Sequence, residues 1–218
     1  MSPRPFTIDA AVMAAIRPMT PADSADVARL HHAAMGSSTW AQLGQRFLRT
    51  LYTALLADER FLAWVYADAE GVRGFIAGSE DTDAMMAATF RRAWRPLGVA
   101  ALPRALRPSL ALKLLQTQSY QDVSGGAVMP ESLFCSFEPA LRGKRISGHI
   151  NKVLFDELLA RGHSRVKVTT EVDNAGANRQ LTSWGFDVDG HFHFYGKDMV
   201  RYVLNLETSP RVEAVHRR

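Results

Sequence analysis

From Phe137 to Gly148 the chain reads Phe-Glu-Pro-Ala-Leu-Arg-Gly-Lys-Arg-Ile-Ser-Gly. A strand-like run closes at Pro139, a basic turn containing Gly143 follows, and a helical period begins at Ile146. The first turn of a helix carries N–H groups without intrahelical acceptors and a partial positive charge, so its backbone alone binds anions. Arg142, Lys144 and Arg145 add positive field at the same point. Two readings fit these residues: a phosphate-binding turn, or a basic loop that merely precedes a helix. Other reactive side chains are scattered. Cys135 is the single cysteine and sits in an apolar run, which reads as packing rather than as an acyl-carrying nucleophile. His191 and His193 lie two apart on a strand and share a face, but no third ligand accompanies them, so no metal site is expected. His31 and His32 read as a solvated helix face.

The elements that must position the turn follow from periodicity. Val12–Arg17 is a short apolar run ending at Pro18 and predicts an opening strand. Thr20-Pro21-Ala22-Asp23 combines an N-cap, a first-turn proline and an acid at N3, and predicts a helix over 21–35. Leu43, Phe47, Leu51 and Leu55 predict a second helix over 39–57. Phe61–Tyr66 and Val72–Ala77 flank the turn Asp68-Ala69-Glu70-Gly71, an antiparallel hairpin, with Phe61, Trp64 and Phe75 in the core. An insert over about 81–126 is helical in parts, interrupted by Pro96, Pro103 and Pro108, and carries Arg91, Arg92, Arg95, Arg104, Arg107 and Lys113. Leu133–Phe137 is a strand. Ile146, Ile150, Val153, Leu154 and Leu158 keep a helical period that Gly162 ends. Val166, Val168, Thr170 and Val172 alternate as a half-buried strand. A helix over 176–184 and a hairpin of 188–195 with 199–206 complete a mixed α/β domain, and the polar chain from Thr208 is expected to fray.

Composition bounds the function. The 218 residues, 47% apolar, suffice for one core, and no apolar run approaches the roughly 20 residues of a bilayer span. The 26 basic and 22 acidic residues give +4 and a pI near 9.5, which favours phosphate-bearing partners, but no nucleic-acid motif accompanies the charge. One cysteine means no disulfide framework, and a reducing, cytoplasmic setting is the expectation.

The order strand, Pro-x-x-Arg-Gly-Lys-x-Ile-x, amphipathic helix resembles the acetyl-CoA motif of the GNAT superfamily of N-acyltransferases, whose loop reads Gln/Arg-x-x-Gly-x-Gly/Ala. Arg142 takes the first position, while Arg145 and Ser147 stand where the two motif glycines belong. Arg145 is tolerated there if its φ stays negative, and donor affinity is the property at stake. Asn174-Ala175-Gly176-Ala177-Asn178 and Gly185-Phe186 resemble the family's Asn-x-x-Ala segment and the Gly-Phe that opens its penultimate strand. The resemblance covers 12–79 loosely and 127–206 well. It implies a GNAT-like α/β (α+β) domain over 12–206, with a mixed central sheet, an N-terminal helix pair and the helical insert before the fourth strand. Residues 1–11 form an extension and 207–218 a flexible tail.

The resemblance further implies acetyl-CoA as donor, a primary amine of a small molecule as acceptor, and direct transfer in a ternary complex without a metal. Cys135, Ser136 and Phe137 are the implied backbone contacts to the donor. Arg142, Gly143, Lys144, Arg145, Ile146 and Ser147 form the pyrophosphate loop, and Asn174 and Asn178 add contacts. Glu131 stands where many relatives keep a carboxylate near the amine; it is either a base or an ordinary strand-edge charge. Leu181 occupies the position of the family's acidic Tyr, which leaves Tyr195 as a substitute or as packing at the hairpin end. The basic insert suits an anionic acceptor, a solvated face or a homodimer contact. No membrane and no nucleic-acid partner is expected. The alternative class is a non-catalytic module that uses the insert to hold a partner or polyanion.

Overall fold

The computed structural model of the protein describes residues 6–36, 38–105, 129–194 and 196–213. The Asp9 carboxylate accepts the N–H groups of Ala11 and Val12 and starts helix α1, Ala10–Ala14. The opening strand is therefore only β1, Ile16–Pro18, and not the whole of 12–17. An alanine-rich stretch behind an Asp N-cap favours helix over strand, and three residues suffice to pair β1 with its neighbour.

At Thr20 the main-chain N–H and Oγ1 both donate to the Asp23 carboxylate, at 2.8 and 2.7 Å. A 3-10 turn, Pro21–Asp23, then leads into α2, Ser24–Ala34. The second expected helix is broken at Gly44, whose φ of 92° no L side chain adopts readily, into α3, Thr39–Gln42, and α4, Gln45–Leu55. The hairpin is as expected: β2, Phe61–Asp68, turns at a positive-φ Gly71 into β3, Gly71–Ser79. Helix α5, Thr82–Ala105, opens the insert. Pro96 and Pro103 lie inside it rather than ending it, and the helix kinks at Ala93, three residues before Pro96, whose ring crowds the preceding turn. The remainder of the insert, with Pro108 and Lys113, falls outside the described residues.

The second half comprises β4, Glu131–Phe137; α6, Ile146–Ala160; β5, Arg165–Glu171; α7, Ala175–Trp184; β6, Asp187–Phe194; and β7, Lys197–Asn205. The seven strands form one mixed sheet in the order β1-β2-β3-β4-β5-β7-β6, antiparallel throughout except between β4 and β5. One apolar cluster packs α2, α4 and α5 against one face through Val27, Phe47, Tyr52, Phe75 and Met85. A second packs α6 and α7 against the other through Ile150, Leu154, Phe155 and Trp184.

The segment after Thr208 does not fray within the described residues. Lys152 and Asp156, buried on α6, form an ion pair at 3.2 Å. The Arg211 carbonyl accepts from Lys152 Nζ at 2.8 Å, and the Glu213 N–H donates to Asp156 at 2.9 Å. A buried ion pair needs such additional hydrogen bonds, and residues 211–213 supply them.

Candidate functional site

Between β4 and β5 the sheet parts. They share a single pair, Glu131 with Lys167, and the Lys167 N–H donates to the Pro130 carbonyl at 2.9 Å. Beyond it, β4 pairs only with β3 and β5 only with β7. Both arms are firm. β5 is paired to β7 along all seven residues, and Glu138 at the end of β4 accepts from Arg29 at 2.9 Å and Arg73 at 3.0 Å. The Glu138 N–H donates to the Arg73 carbonyl, which sets the phase of the antiparallel ladder. By alternation, the main-chain groups of Phe134 and Ser136 face β3, and those of Cys135 and Phe137 face the gap. Two of the three expected backbone contacts therefore point the right way. Ser136 does not: its amide belongs to the β3 ladder, and its buried Oγ donates to the Leu30 carbonyl at 3.4 Å.

Cys135 is a free cysteine with accessible surface. Desolvation pushes its thiol up to about 12, and Asn151 Nδ2, 3.8 Å from Sγ, offsets this only slightly. Asn151 also donates to the Ser147 carbonyl at 2.7 Å, linking Cys135 to the start of α6.

The turn into α6 has the shape of a glycine loop without the glycine. Arg145 has φ 58°, ψ 12°, the left-handed region, and Gly143 has φ 80°. The condition of a negative φ at Arg145 is not met: the turn has the backbone that a glycine would adopt, and Arg145 bears the strain. Arg145 gives α6 no side-chain cap. The Gly148 N–H turns back to the Arg145 carbonyl at 3.1 Å, which leaves the N–H groups of Ile146 and Ser147 as the helix's first donors. Arg142, Gly143, Lys144 and Arg145 are exposed around them.

At the far side of the gap, Asn174 caps α7, its Oδ1 accepting from the Ala177 N–H at 3.2 Å. Asn178 Nδ2 donates to the carbonyls of Glu171 and Val172 at 3.3 and 2.9 Å, while its Oδ1 is buried without a partner. Asn174 is thus engaged in capping, and Asn178 holds the end of β5 with an acceptor in reserve.

Glu131 is no strand-edge charge. It is 4% exposed on a central strand, at the point where β4 and β5 part. Thr82 Oγ1 donates to its Oε2 at 3.1 Å, and Lys167 Nζ lies 3.7 Å from the same atom. Thr82 and Lys167 thus supply a hydrogen-bond donor and a cation to the same carboxylate oxygen. Neither was found by sequence reasoning, although Lys167 occupies the polar phase of the β5 alternation. His31 also departs from expectation. Rather than being solvated it is 1% exposed, its Nδ1 2.8 Å from Tyr52 Oη and its ring 4.7 Å from that of Phe134. Burial pulls its pKa down to about 4 and pushes that of Tyr52 well above the usual phenol range. Tyr195 lies outside the described residues. Leu181 is buried in the second core cluster, which it shares with Ile150 and Phe155 of α6. His193 Nδ1 pairs with Asp198 at 3.1 Å. Among the described residues no group of three His, Cys, Asp or Glu side chains is arranged to hold a metal, and no helix is long and apolar enough to cross a membrane.

Comparisons with known proteins bear on this geometry. No family model matches the chain. A stretch of 53 residues is 36% identical to a mycothiol acetyltransferase of Brachybacterium faecium; it spans 24% of this chain and only 16% of that relative. Solved structures align over most of the length. An acetyltransferase shares 18% identity at a TM-score of 0.56, covering 87% of this chain and 98% of its own. A protein of Desulfovibrio desulfuricans assigned to the GNAT acetyltransferases shares 12% at 0.57, covering 88% and 98%. A spermidine/spermine N-acetyltransferase of Vibrio cholerae shares 14% at 0.52, covering 89% and 94%.

Proposed function

From the premise that this chain has the GNAT acetyltransferase fold, we propose that it moves an acetyl group from acetyl-CoA to a primary amine of a small molecule, directly, in a ternary complex. The observation that carries the reading is the gap between β4 and β5, which opens onto the uncapped start of α6. The residues fit the donor. The N–H groups of Ile146 and Ser147, ringed by Arg142, Lys144 and Arg145, suit a pyrophosphate. The unpartnered Asn178 Oδ1 is a buried acceptor that a pantetheine amide N–H would satisfy.

When bound, the donor supplies an activated thioester carbonyl. The chain's part is to orient and polarise it. The amides of Cys135 and Phe137, rigid in the ladder and facing the gap, are donors for the carbonyl oxygen as charge develops there. Holding the two reactants in one gap contributes through proximity. Glu131, buried where β4 and β5 part, is the group assigned to accept the ammonium proton, directly or through water. Cys135 stays a neutral thiol and forms no acyl intermediate. A thiol of pKa about 8.5 leaves without a strong acid, so Leu181 at the usual tyrosine position does not forbid turnover.

The test is thiol release from acetyl-CoA across a panel of primary amines, anionic and neutral. Saturable release that depends on one amine supports the reading. A rate that never exceeds the amine-free background, with any amine, overturns it.

A further inference from the structure

His149 has no part in the proposed transfer, yet it is 2% exposed and both its ring nitrogens are engaged. The Asp9 N–H donates to Nε2 at 2.9 Å. A backbone N–H only donates, so Nε2 carries the lone pair and Nδ1 the proton. Nδ1–H then donates to the Arg145 carbonyl at 2.9 Å. That carbonyl belongs to the residue held at φ 58°. The peptide unit is planar and trans, so the direction of the Arg145 C=O fixes that of the Ile146 N–H. That N–H is one of the two donors left open at the start of α6.

The N-terminal segment is packed on the same spot. The Phe6 ring covers Gly148 so closely that a Cβ there would meet Phe6 Cε2 at 2.8 Å. Its centroid is 5.0 Å from that of His149 and 5.8 Å from that of Trp184. The Arg211 guanidinium stacks over Phe6 at 5.7 Å and over Trp184 at 5.3 Å. Residues from both ends of the described chain therefore brace this helix start.

We infer that His149 is a positioning residue for the anion-binding turn: it links the main chain at Asp9 to the Arg145–Ile146 peptide and holds the Ile146 N–H in its outward direction. The nature of the anion rests on the proposed function; the positioning itself does not. Strain at Arg145 persists only because surrounding contacts over-determine it, and the His149 ring is the side chain that, beside the Gly148 N–H, holds the strained peptide's carbonyl.

The experiment compares wild type with His149→Leu and His149→Gln, reading CoA affinity by calorimetry and amide exchange of residues 143–148 without ligand. His149→Leu is expected to weaken CoA about tenfold, the equivalent of releasing one left-handed residue, and to speed exchange at Gly148, whose N–H is held on the Arg145 carbonyl. Under turnover the change appears in KM for acetyl-CoA, with kcat nearly unchanged. Gln offers one acceptor and one donor in place of the ring nitrogens and should recover most of both effects. Should the Leu variant fail to fold, Phe6→Ala, which uncovers Gly148 and leaves His149 in place, is expected to give the same exchange change in smaller measure. The inference falls if a folded Leu variant matches wild type in CoA affinity and exchange, or if Gln is as impaired as Leu. If wild type itself binds no CoA, the functional reading falls, while exchange at Gly148 still decides whether His149 positions the turn.

Discussion

Replacing Arg145 with glycine should stabilise the protein, although the side chain removed is a charged one beside an anion-binding turn. Arg145 sits at φ 58°, where an L-residue is penalised by about 1–2 kcal/mol. Glycine removes that penalty but adds unfolded-chain freedom of about 0.4–1 kcal/mol. The side chain is exposed and caps nothing, so little else is lost. The balance is a gain of about 0.5–1 kcal/mol, which for a chain of this size raises Tm by about 1–4 °C. Arg145→Val, β-branched and least suited to this region, should instead lower Tm by several degrees. Acetyl-CoA affinity should move the other way in the glycine variant, weakening by up to about fivefold through loss of one exposed charge near the helix start. Scanning calorimetry of the two variants, with and without donor, reads both effects. A glycine variant that melts below wild type, or a valine variant that melts with it, would refute the strained-loop argument.

Other consequences follow from the buried and paired groups. Asp23 is held down to about 2 chiefly by its hydrogen bonds to Arg17, at 2.7 and 2.8 Å. A depressed carboxylate contributes stability that is present above pH 4 and lost as pH falls towards 2, so Asp23→Asn should cost about 1–2 kcal/mol at pH 7 and almost nothing at pH 2 in denaturant titrations. His31, pulled down to about 4 by burial, is neutral in the folded state and charged first in the unfolded one. Its contribution is complete above pH 6.5 and is lost between about 6.5 and 4. A His31→Phe variant should lack that slope of about 2–3 kcal/mol; an unchanged slope would exclude His31 as its source. With its thiol up at about 12, Cys135 should react with iodoacetamide at pH 8 about a thousandfold more slowly than a free cysteine, and Cys135→Ala should keep turnover. Glu131→Gln should lower kcat/KM by about 100-fold or more and remove its acid limb; an unchanged pH profile would dismiss Glu131 as the base.

Local signals were legible. The capping box at Thr20, the apolar stripe of α6, the alternation of β5 and the turn ahead of Ile146 each follow from short-range chemistry, and each appears where the pattern puts it. What failed was set by tertiary context. The run at 12–17 is ambiguous by periodicity alone, and the Asp9 cap decided it for helix. Gly44 was hidden inside an otherwise continuous apolar stripe. The left-handed Arg145 was unreadable because sequence favours glycine there, and only its neighbours enforce the exception. Ser136 dropped out of the donor set because the ladder's phase, set by the Glu138 N–H on the Arg73 carbonyl, turns its amide to β3. Glu131 was found, but its partners Thr82 and Lys167 come from distant elements. His149 was missed although it follows Ile146 by three residues and precedes Val153 by four, on the apolar face of α6.

Thermal unfolding with and without acetyl-CoA tests the central claim, that the β4–β5 gap and the turn into α6 hold this donor. At about a hundred times its Kd the ligand should add roughly 2.7 kcal/mol, a rise of about 5–10 °C for a chain of this size, with no comparable rise from adenosine alone. An unchanged Tm at millimolar acetyl-CoA would contradict it.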